Sequence, residues 1–230
     1  MKIRLNVFLL SWTALLGGCS SGQLLKDQPI SANSASGVIV MGVDLQSDFK
    51  SPSLAFLRFD PATGKVDSTS VKSVSRSKEG LTGAQKFGAV MTGQTSLAKG
   101  KQYFVFELPP GDWFLSSISG SYSDGLYSSY SAVTHMTEGT IAFRSGPGTA
   151  SYIGEYGVTG KFGQPIRMVT LEQNFDAAQV ELKNYSNITV PLQASKPSNA
   201  TLACEFKKVP LSSVEYCQWK TAVLTVAPSQ

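Results

Sequence analysis

The sequence is poor in charge and in metal-binding side chains, and these shortages exclude several classes of function. Asp, Glu, Lys and Arg together make up 16% of the 230 residues. The Lys and Arg residues form no cluster, so the chain lacks the basic patch that nucleic-acid-binding proteins need. It has one histidine, His135, and three cysteines, and their spacing does not match that of zinc ligands. We therefore expect neither a nucleic acid nor a metal or other cofactor as a ligand.

The chain also lacks an apolar run long enough to span a membrane as a helix. Its most apolar stretch, residues 5–16, follows the basic residues Lys2 and Arg4. At ~1.5 Å per residue, this stretch is too short for the ~30 Å hydrocarbon core of a bilayer. A basic start, a short apolar middle and an end of small residues are typical of a secretory signal peptide.

The end of this run resembles the lipobox of bacterial lipoproteins, in which an aliphatic residue and two small residues precede a cysteine. Here these residues are Leu16, Gly17, Gly18 and Cys19. The resemblance implies cleavage before Cys19, a diacylglycerol on its thiol and an acylated amino group. Two or more acyl chains anchor a protein stably, at ~0.8 kcal/mol per buried methylene. Ser20 stands where inner-membrane lipoproteins commonly have aspartate, so the resemblance favours the outer membrane of a bacterial envelope. The alternative is an ordinary signal peptide with a chance cysteine.

These features predict three regions: a lipoprotein signal peptide over residues 1–18, a flexible tether over 19–36 and one folded domain over 37–230. Residues 20–36 are rich in Ser, Gly, Asn and Gln, a composition typical of a flexible linker. Removal of Lys2 and Arg4 with the signal peptide lowers the formal net charge from +4 to +2. Only the acyl chains on Cys19 are then expected to bind the membrane.

The two remaining cysteines, Cys204 and Cys217, are expected to form a disulfide. An exported protein folds in an oxidising compartment, where cysteine pairs persist as disulfides. The segment between them contains Pro210 and two serines near its middle, which favours a turn between two strands. In the chain-entropy model, closing a loop of this size stabilises the fold by about 3 kcal/mol. The alternative is a pair of free buried thiols.

Short runs of β-branched and aromatic residues, separated by turn residues, recur through the predicted domain. Such spacing favours an antiparallel sandwich. The turn "PATG" at residues 61–64 predicts a hairpin between the runs at 53–60 and 65–71. The turn "PPGD" at residues 109–112 predicts another hairpin over residues 103–119. The runs are 37–45, 53–60, 65–71, 102–108, 113–119, 139–145, 150–158, 164–171, 187–193 and 220–226.

One segment has helical rather than strand periodicity. Phe175, Ala178, Leu182 and Tyr185 recur at the spacing of one helix face. Asn174 precedes them and is a favoured N-cap residue. We predict a helix from Phe175 to about residue 184, packed on a sheet.

Two segments resemble a family of small bacterial lipoproteins and exported proteins with a prealbumin-like β-sandwich. They are "YFVFELPPGDWFL" and "TIAFRSGPGTASYIGEYGV", and the similarity covers roughly residues 102–188. The resemblance implies a mainly β fold of prealbumin- or immunoglobulin-like type. With the preceding predictions, this gives an antiparallel β-sandwich with one short α-helix and a C-terminal disulfide-linked hairpin. Most members of the family have no established activity, so the resemblance implies little chemistry.

The candidate binding segment is residues 119–131, "SGSYSDGLYSSYS". Tyr, Ser and Gly dominate adaptable binding loops, because tyrosine provides contact area at low entropic cost. Tyr122, Tyr127 and Tyr130 are the predicted contact residues, with Trp113 nearby. The alternative is a hairpin whose tyrosines cover the edge of a sheet.

Catalytic interpretations have weaker support in the sequence. None of the serines lies in the sequence of a nucleophile elbow, so we expect His135 to be a lone surface or half-buried histidine. Four carboxylates near the predicted hairpins leave open a two-carboxylate glycosidase, although the sequence cannot give their separation. They are Glu107, Asp112, Asp124 and Glu155.

Three functions follow from these patterns, in order of preference. The first is a non-enzymatic interaction or accessory module, tethered to the membrane through lipid on Cys19 and bound to an envelope protein. The second is a module that binds carbohydrate or peptidoglycan through an aromatic surface. The third is a hydrolase.

Overall fold

The computed structural model describes residues 29–45, 50–77, 80–82, 100–123, 129–137, 139–160, 166–208 and 215–225. Over these residues the chain forms thirteen strands and one helix. In chain order they are β1 Gly37–Leu45, β2 Lys50–Phe59, β3 Val66–Ser77, β4 Gly80–Thr82, β5 Gly100–Leu108, β6 Gly111–Ser123, β7 Ser129–His135, β8 Thr140–Ser145, β9 Ala150–Thr159, β10 Arg167–Thr170, α1 Phe175–Leu182, β11 Leu192–Ala194, β12 Ser198–Lys208 and β13 Glu215–Thr225.

The strands form two sheets that pack face to face, which confirms the predicted mainly β sandwich. The smaller sheet has the order β10-β9-β1-β5, with β11 also paired to β9. The larger sheet has the order β13-β12-β8-β6-β2-β3-β4, with β7 also paired to β6. The pairs of the larger sheet are antiparallel, as predicted. The smaller sheet is mixed, because β9 runs parallel to both β1 and β11.

The central core fills the space between the two sheets. Alternate residues of each strand point inward, and aromatic rings contribute much of the packing. Phe56 of the larger sheet stacks on Phe106 of the smaller sheet, with 5.2 Å between the ring centroids. The largest fully buried side chains of this core include Trp113, Phe56, Phe104, Phe106 and Leu115.

The predicted hairpin over residues 103–119 is wrong, although both of its strands form. β5 pairs with β1 in the smaller sheet, whereas β6 pairs with β2 in the larger sheet. Pro109 and Pro110 between them have no N–H to donate to a ladder. Gly111 has a φ of 144°, and the Trp113 indole N–H donates to the Pro109 carbonyl over 3.1 Å. The chain therefore crosses from one sheet to the other at this turn.

The predicted hairpin around residues 61–64 is confirmed. β2 and β3 pair antiparallel, and Gly64 takes a φ of 71°, which favours glycine. The Asp60 carboxylate accepts hydrogen bonds from the Ala62 N–H at 2.9 Å and the Thr63 hydroxyl at 2.8 Å. These two bonds hold the turn at the end of β2.

The predicted helix is confirmed and covers the outer face of the smaller sheet. The Asn174 side chain accepts a hydrogen bond of 3.0 Å from the Ala177 N–H, as expected of an N-cap. Ala178 and Leu182 are buried against a cluster that includes Val40 and Tyr152. The helix thus forms a third layer outside the sandwich.

The folded region begins before the predicted boundary at residue 37. Ile30 is buried in the cluster beneath the helix, and its N–H donates to the Asn187 carbonyl over 2.8 Å. The Gly148 N–H donates to the Ser36 carbonyl over 2.9 Å. The prediction of a tether reaching to residue 36 is therefore wrong for residues 29–36.

The end strands of the larger sheet, β12 and β13, fold back over the outer face of the same sheet and form a fourth layer there. We call the β12–β13 hairpin the arm, and the Cys204–Cys217 disulfide joins its two strands as predicted. The first part of the arm packs through Leu202 and Ala222 on a buried cluster that includes Phe114 and Leu57. The arm and the helix therefore lie on opposite sides of the sandwich.

Candidate functional site

The candidate site is an apolar surface where the arm crosses β7. Phe206 of the arm is 55% exposed, and Val133 of β7 is 58% exposed. Side chains two residues apart on a strand lie on the same face, so Val133 and His135 share one face of β7. The rings of His135 and Phe206 meet edge to face, with 5.7 Å between their centroids. Exposed apolar side chains that adjoin one another are typical of interaction surfaces. We call Val133, His135, Phe206 and Trp219 the arm surface.

A row of aromatic rings connects the arm surface to the buried cluster beneath the arm. Neighbouring rings meet edge to face, the arrangement that the ring quadrupoles favour. The centroid distances are 5.6 Å from Phe59 to Phe114, 5.9 Å from Phe114 to Trp219 and 5.9 Å from Trp219 to His135. The row begins at the buried rings of Phe59 and Phe114 and ends at the exposed ring of Phe206. The exposed ring is therefore supported from below by a continuous set of packed side chains.

His135 is half-buried between the rings of Phe206 and Trp219. Burial lowers the pKa of His135 below its ordinary value of 6.5, because the charged imidazolium loses hydration there. Within the described part of the chain, the His135 Nδ1 atom is enclosed and has no hydrogen-bond partner. A general base oriented by a carboxylate would need such a partner on this nitrogen. The His135 ring therefore packs as one member of this row of rings.

The distal half of the arm presents ion pairs on the face opposite its apolar residues. Glu205 binds Lys220 at 2.8 Å and lies 3.9 Å from Lys207. These contacts lower the pKa of the Glu205 carboxyl below its ordinary value. Glu205 alternates with Cys204 and Phe206 along β12, so charged and apolar residues occupy opposite faces of the hairpin.

A second notable cluster lies on the smaller sheet, where Glu155 is 0% exposed. The Tyr103 hydroxyl donates to its Oε1 atom. Its Oε2 atom accepts no hydrogen bond of regular geometry but forms an ion pair with the Lys101 ammonium. Burial and the bond to Glu155 raise the pKa of Tyr103, and burial with the nearby Glu155 charge raises that of Tyr152 to about 12. The two phenols are therefore protonated at neutral pH, and the carboxylate is held inside the protein.

A β-bulge sets the direction of the Glu155 side chain. Val40 of β1 lies opposite Tyr152 and Gly42 lies opposite Glu155, so β9 has one extra residue between these pairs. Regular alternation would place Glu155 beside Ile153 in the central core, whereas the bulge returns it to the helix side. A Cβ on Gly42 would lie 2.7 Å from the Glu155 Cγ atom, so the absence of a side chain there makes room for the carboxylate. Because both carboxylate oxygens face groups of the protein, we interpret this cluster as structural.

The structure does not bring the predicted binding residues together in one place. Trp113 is 1% exposed in the central core, so the prediction that it contributes to a binding surface is wrong. Its ring points into the core with the other inward-facing residues of β6, and its indole N–H donates to the Pro109 carbonyl. Tyr122 and Tyr130 lie directly opposite each other in the β6–β7 hairpin. Tyr127 lies outside the described residues.

Other predicted residues can be placed in the same way. Cys19 and Asp124 lie outside the described residues. Asp112 binds Arg144 through two hydrogen bonds of 3.0 and 2.9 Å in the larger sheet, whereas Glu155 lies in the smaller sheet. Asp112 is thus paired with Arg144, whereas Glu155 is enclosed with Tyr103 and Lys101.

The part of the chain that the structure describes contains no group of three residues able to hold a metal ion. Within the same part, no helix combines the length and the apolar character needed to cross a membrane.

Sequence reasoning missed Phe206 and Trp219, although a signal for both was present. Phe206 lies two residues after Cys204, and Trp219 lies two residues after Cys217. In two paired strands this spacing puts both rings on the face that carries the disulfide. The pattern predicts a shared face but not its exposure, which depends on where the arm lies against β7.

Comparisons with known proteins give no relative. No family model matches the chain, and neither a curated protein nor a solved structure matches it at a significant level. The resemblance to prealbumin-like lipoproteins therefore stays a prediction from the sequence.

Proposed function

We propose that the protein is a lipid-anchored lipoprotein of the bacterial outer membrane that acts by binding another envelope protein. The lipobox residues 16–19 support the anchor. The observation that carries the interaction is the exposed ring of Phe206, which contacts His135 on the strand face that also bears exposed Val133. Water-exposed apolar side chains gain free energy when a partner covers them.

The position of the arm surface agrees with such a role. Gly37, at the start of β1, pairs with Leu108 near the turn that joins the two sheets. His135 lies opposite Ser117, six residues along β6 from its start at Gly111. At ~3.3 Å per strand residue, the arm surface is about 20 Å along the sandwich from the end where β1 begins. The folded region itself begins on the helix side, where Ile30 pairs with Ile188, and the arm lies on the opposite side of the sandwich. A domain tethered through this segment presents the arm surface away from the membrane.

A test of the interaction is photo-crosslinking in intact cells with a photoreactive phenylalanine analogue at position 206. We expect one discrete crosslinked protein, because the substitution keeps the ring in place. The matched control is the same analogue at Val180, which is 62% exposed on the helix side. The absence of a discrete product at position 206, or the same products at both positions, would contradict the proposal. The analogue at Tyr127 tests the originally predicted loop in the same way.

A test of the anchor is the Cys19→Ser substitution. We expect loss of acyl labelling and release of the protein from the membrane fraction. The control is Cys204→Ser combined with Cys217→Ser, which should keep the label. Continued membrane fractionation of the Cys19→Ser protein would show that the lipobox interpretation is wrong.

The second candidate function is binding of carbohydrate or peptidoglycan. The exposed ring of Phe206 favours it, because flat aromatic surfaces stack on sugar rings. In this case the protein sediments with purified peptidoglycan, free glycan competes, and Phe206→Ala abolishes the association. Sedimentation that is unaffected by Phe206→Ala would exclude the arm surface as the glycan site.

A further inference from the structure

The distal part of the arm has few described attachments to the rest of the domain. Ser198–Ala200 of β12 pair with β8, and the Leu202 N–H donates to the Thr137 carbonyl over 2.7 Å. On the other strand, the Ala222 N–H donates to the Gly64 carbonyl over 2.8 Å. All of these backbone contacts lie on one side of the β-bulge between Ala203 and Cys204, the side nearer to Ser198 and Thr225. Beyond the bulge, residues 204–208 and 215–219 pair with each other, and we call them the distal arm.

Ring contacts are among the interactions that hold the distal arm in its observed position, and the disulfide joins its two strands. The ring of Phe206 contacts His135, and the ring of Trp219 contacts both His135 and Phe114. Cys204 lies opposite Trp219 and Cys217 lies opposite Phe206, so the disulfide crosses the ladder diagonally between the two ring-bearing pairs. Both cysteine residues are partly exposed to solvent.

The disulfide limits the conformational freedom that the distal arm can gain when its strand pairing is lost. The two cysteines are separated by 13 positions, and the bond keeps this loop closed even when the strand pairing is lost. Without the bond, opening releases the conformational entropy of the whole loop. The rest of the sandwich gains no comparable freedom, so the effect is confined to the distal arm.

We propose that the Cys204–Cys217 disulfide is a redox-controlled latch that holds the distal arm against His135 and thereby regulates the arm surface. The regulation rests on the proposed function, whereas the latch itself does not. The reductant is a dithiol, such as the reduced site of a thiol–disulfide oxidoreductase. One thiolate of the dithiol attacks a sulfur of the disulfide, the S–S bond breaks, and the other cysteine leaves as a thiolate. The second thiol of the reductant then displaces the first cysteine. The cysteine pair gains two electrons and two protons, and the reductant becomes a disulfide.

Amide hydrogen exchange on the full-length chain tests the latch. The chain carries Cys19→Ser, which removes the third thiol, and dithiothreitol is the reductant. We expect amides of residues 204–208 and 215–219 to exchange about 100-fold faster after reduction, the entropic effect of freeing a loop of this size. Amides of β1 and β9 should keep their rates. A change of less than about threefold in the distal arm, or an equal change in β1, would overturn the latch.

The double variant Cys204→Ser, Cys217→Ser is the matched control. It should show the fast exchange without reductant and no further response to dithiothreitol. If this variant does not fold, the comparison between the oxidised and reduced parent chain still decides the outcome.

The single histidine provides a second readout by nuclear magnetic resonance. Burial lowers the pKa of His135, so opening of the distal arm should raise the titration midpoint towards 6.5. An unchanged midpoint after reduction would overturn the proposed contact between the distal arm and His135. Neither this measurement nor the exchange experiment involves a partner, so both remain valid if the proposed function fails. If exchange responds but crosslinking at position 206 is equal in both redox states, the latch stands and its regulatory role is wrong.

Discussion

The helix and the arm each cover the outer apolar face of one sheet, but they differ in the kind of apolar side chain that they leave exposed. On the smaller sheet, α1 is capped at its start and buries Ala178 and Leu182, while Glu155 nearby has protein groups against both oxygens. On the larger sheet, the arm buries its first half but leaves Phe206 exposed. Both layers cover apolar sheet faces, but among the described residues the helix side exposes aliphatic side chains such as Val180, whereas the arm side exposes an aromatic ring, Phe206. This difference supports the proposal that the arm side is the interaction face.

The largest expected effect is the removal of a buried ring on the arm side. Phe114→Ala should lower the free energy of unfolding by about 3–5 kcal/mol, because Phe114 is fully buried and its loss leaves a cavity. Urea denaturation, monitored by circular dichroism, measures this loss of stability. Phe206→Ala in the same row should cost less than about 1 kcal/mol, since that ring is largely exposed. Equal losses for the two variants would show that the row does not end in an open surface.

A smaller effect is expected from crowding the helix side. Gly42→Ala should destabilise the protein by about 1–3 kcal/mol, because the added Cβ overlaps the Glu155 side chain. Combining it with Glu155→Ala removes the overlap, so the double variant should lose less than the sum of the single losses. Strict additivity in urea denaturation would contradict the packing of Glu155 against Gly42.

The helix cap gives a still smaller effect. Asn174→Ala should cost about 1 kcal/mol, because the Ala177 N–H loses its acceptor. Asn174→Ser keeps an acceptor at this position and should retain most of the stability. Thermal unfolding measures both variants, and equal destabilisation by Ala and Ser would exclude capping as the cause.

The smallest expected effect is a dependence of stability on pH that is specific to the arm side. The pKa of His135 is lowered in the folded state, so the unfolded state binds a proton more readily. The free energy of unfolding should therefore fall as the pH is lowered through 6.5, and this contribution should be constant above that value. His135→Phe keeps a ring but cannot titrate, so the difference between parent and variant isolates the effect. A difference that does not change with pH in urea denaturation would contradict the burial of His135 in a neutral form.

Local features of the fold could be predicted because they depend on residues close together in the chain. The helix followed from the spacing of Phe175, Ala178 and Leu182 after a capping Asn174. The β2–β3 turn followed from a glycine at the position that requires a positive φ. The disulfide followed from two cysteines on either side of a turn.

Features that depend on distant residues were not predictable in this way. Alternate residues of β5 and β6 point into the core in both possible arrangements, whether the two strands pair with each other or lie in different sheets. The sequence therefore could not exclude the hairpin over residues 103–119. The parallel pairing of β1 with β9 joins segments more than a hundred residues apart. Trp113 and Phe206 are both large aromatic residues in strands, but Trp113 lies between the two sheets, whereas Phe206 lies on the distal half of the arm and stays exposed.

By itself, the sequence determined the strand-rich character, the helix and its cap, and the facing of two aromatic residues with the disulfide. It is also the sole basis for the predicted lipid anchor on Cys19. Tertiary structure alone decided which strands share a sheet, which side of the sheet Glu155 occupies and where the apolar surface remains open. The physical reason is that periodicity and turn chemistry act over a few residues, whereas pairing and burial depend on the free energy of contacts between segments far apart in the chain.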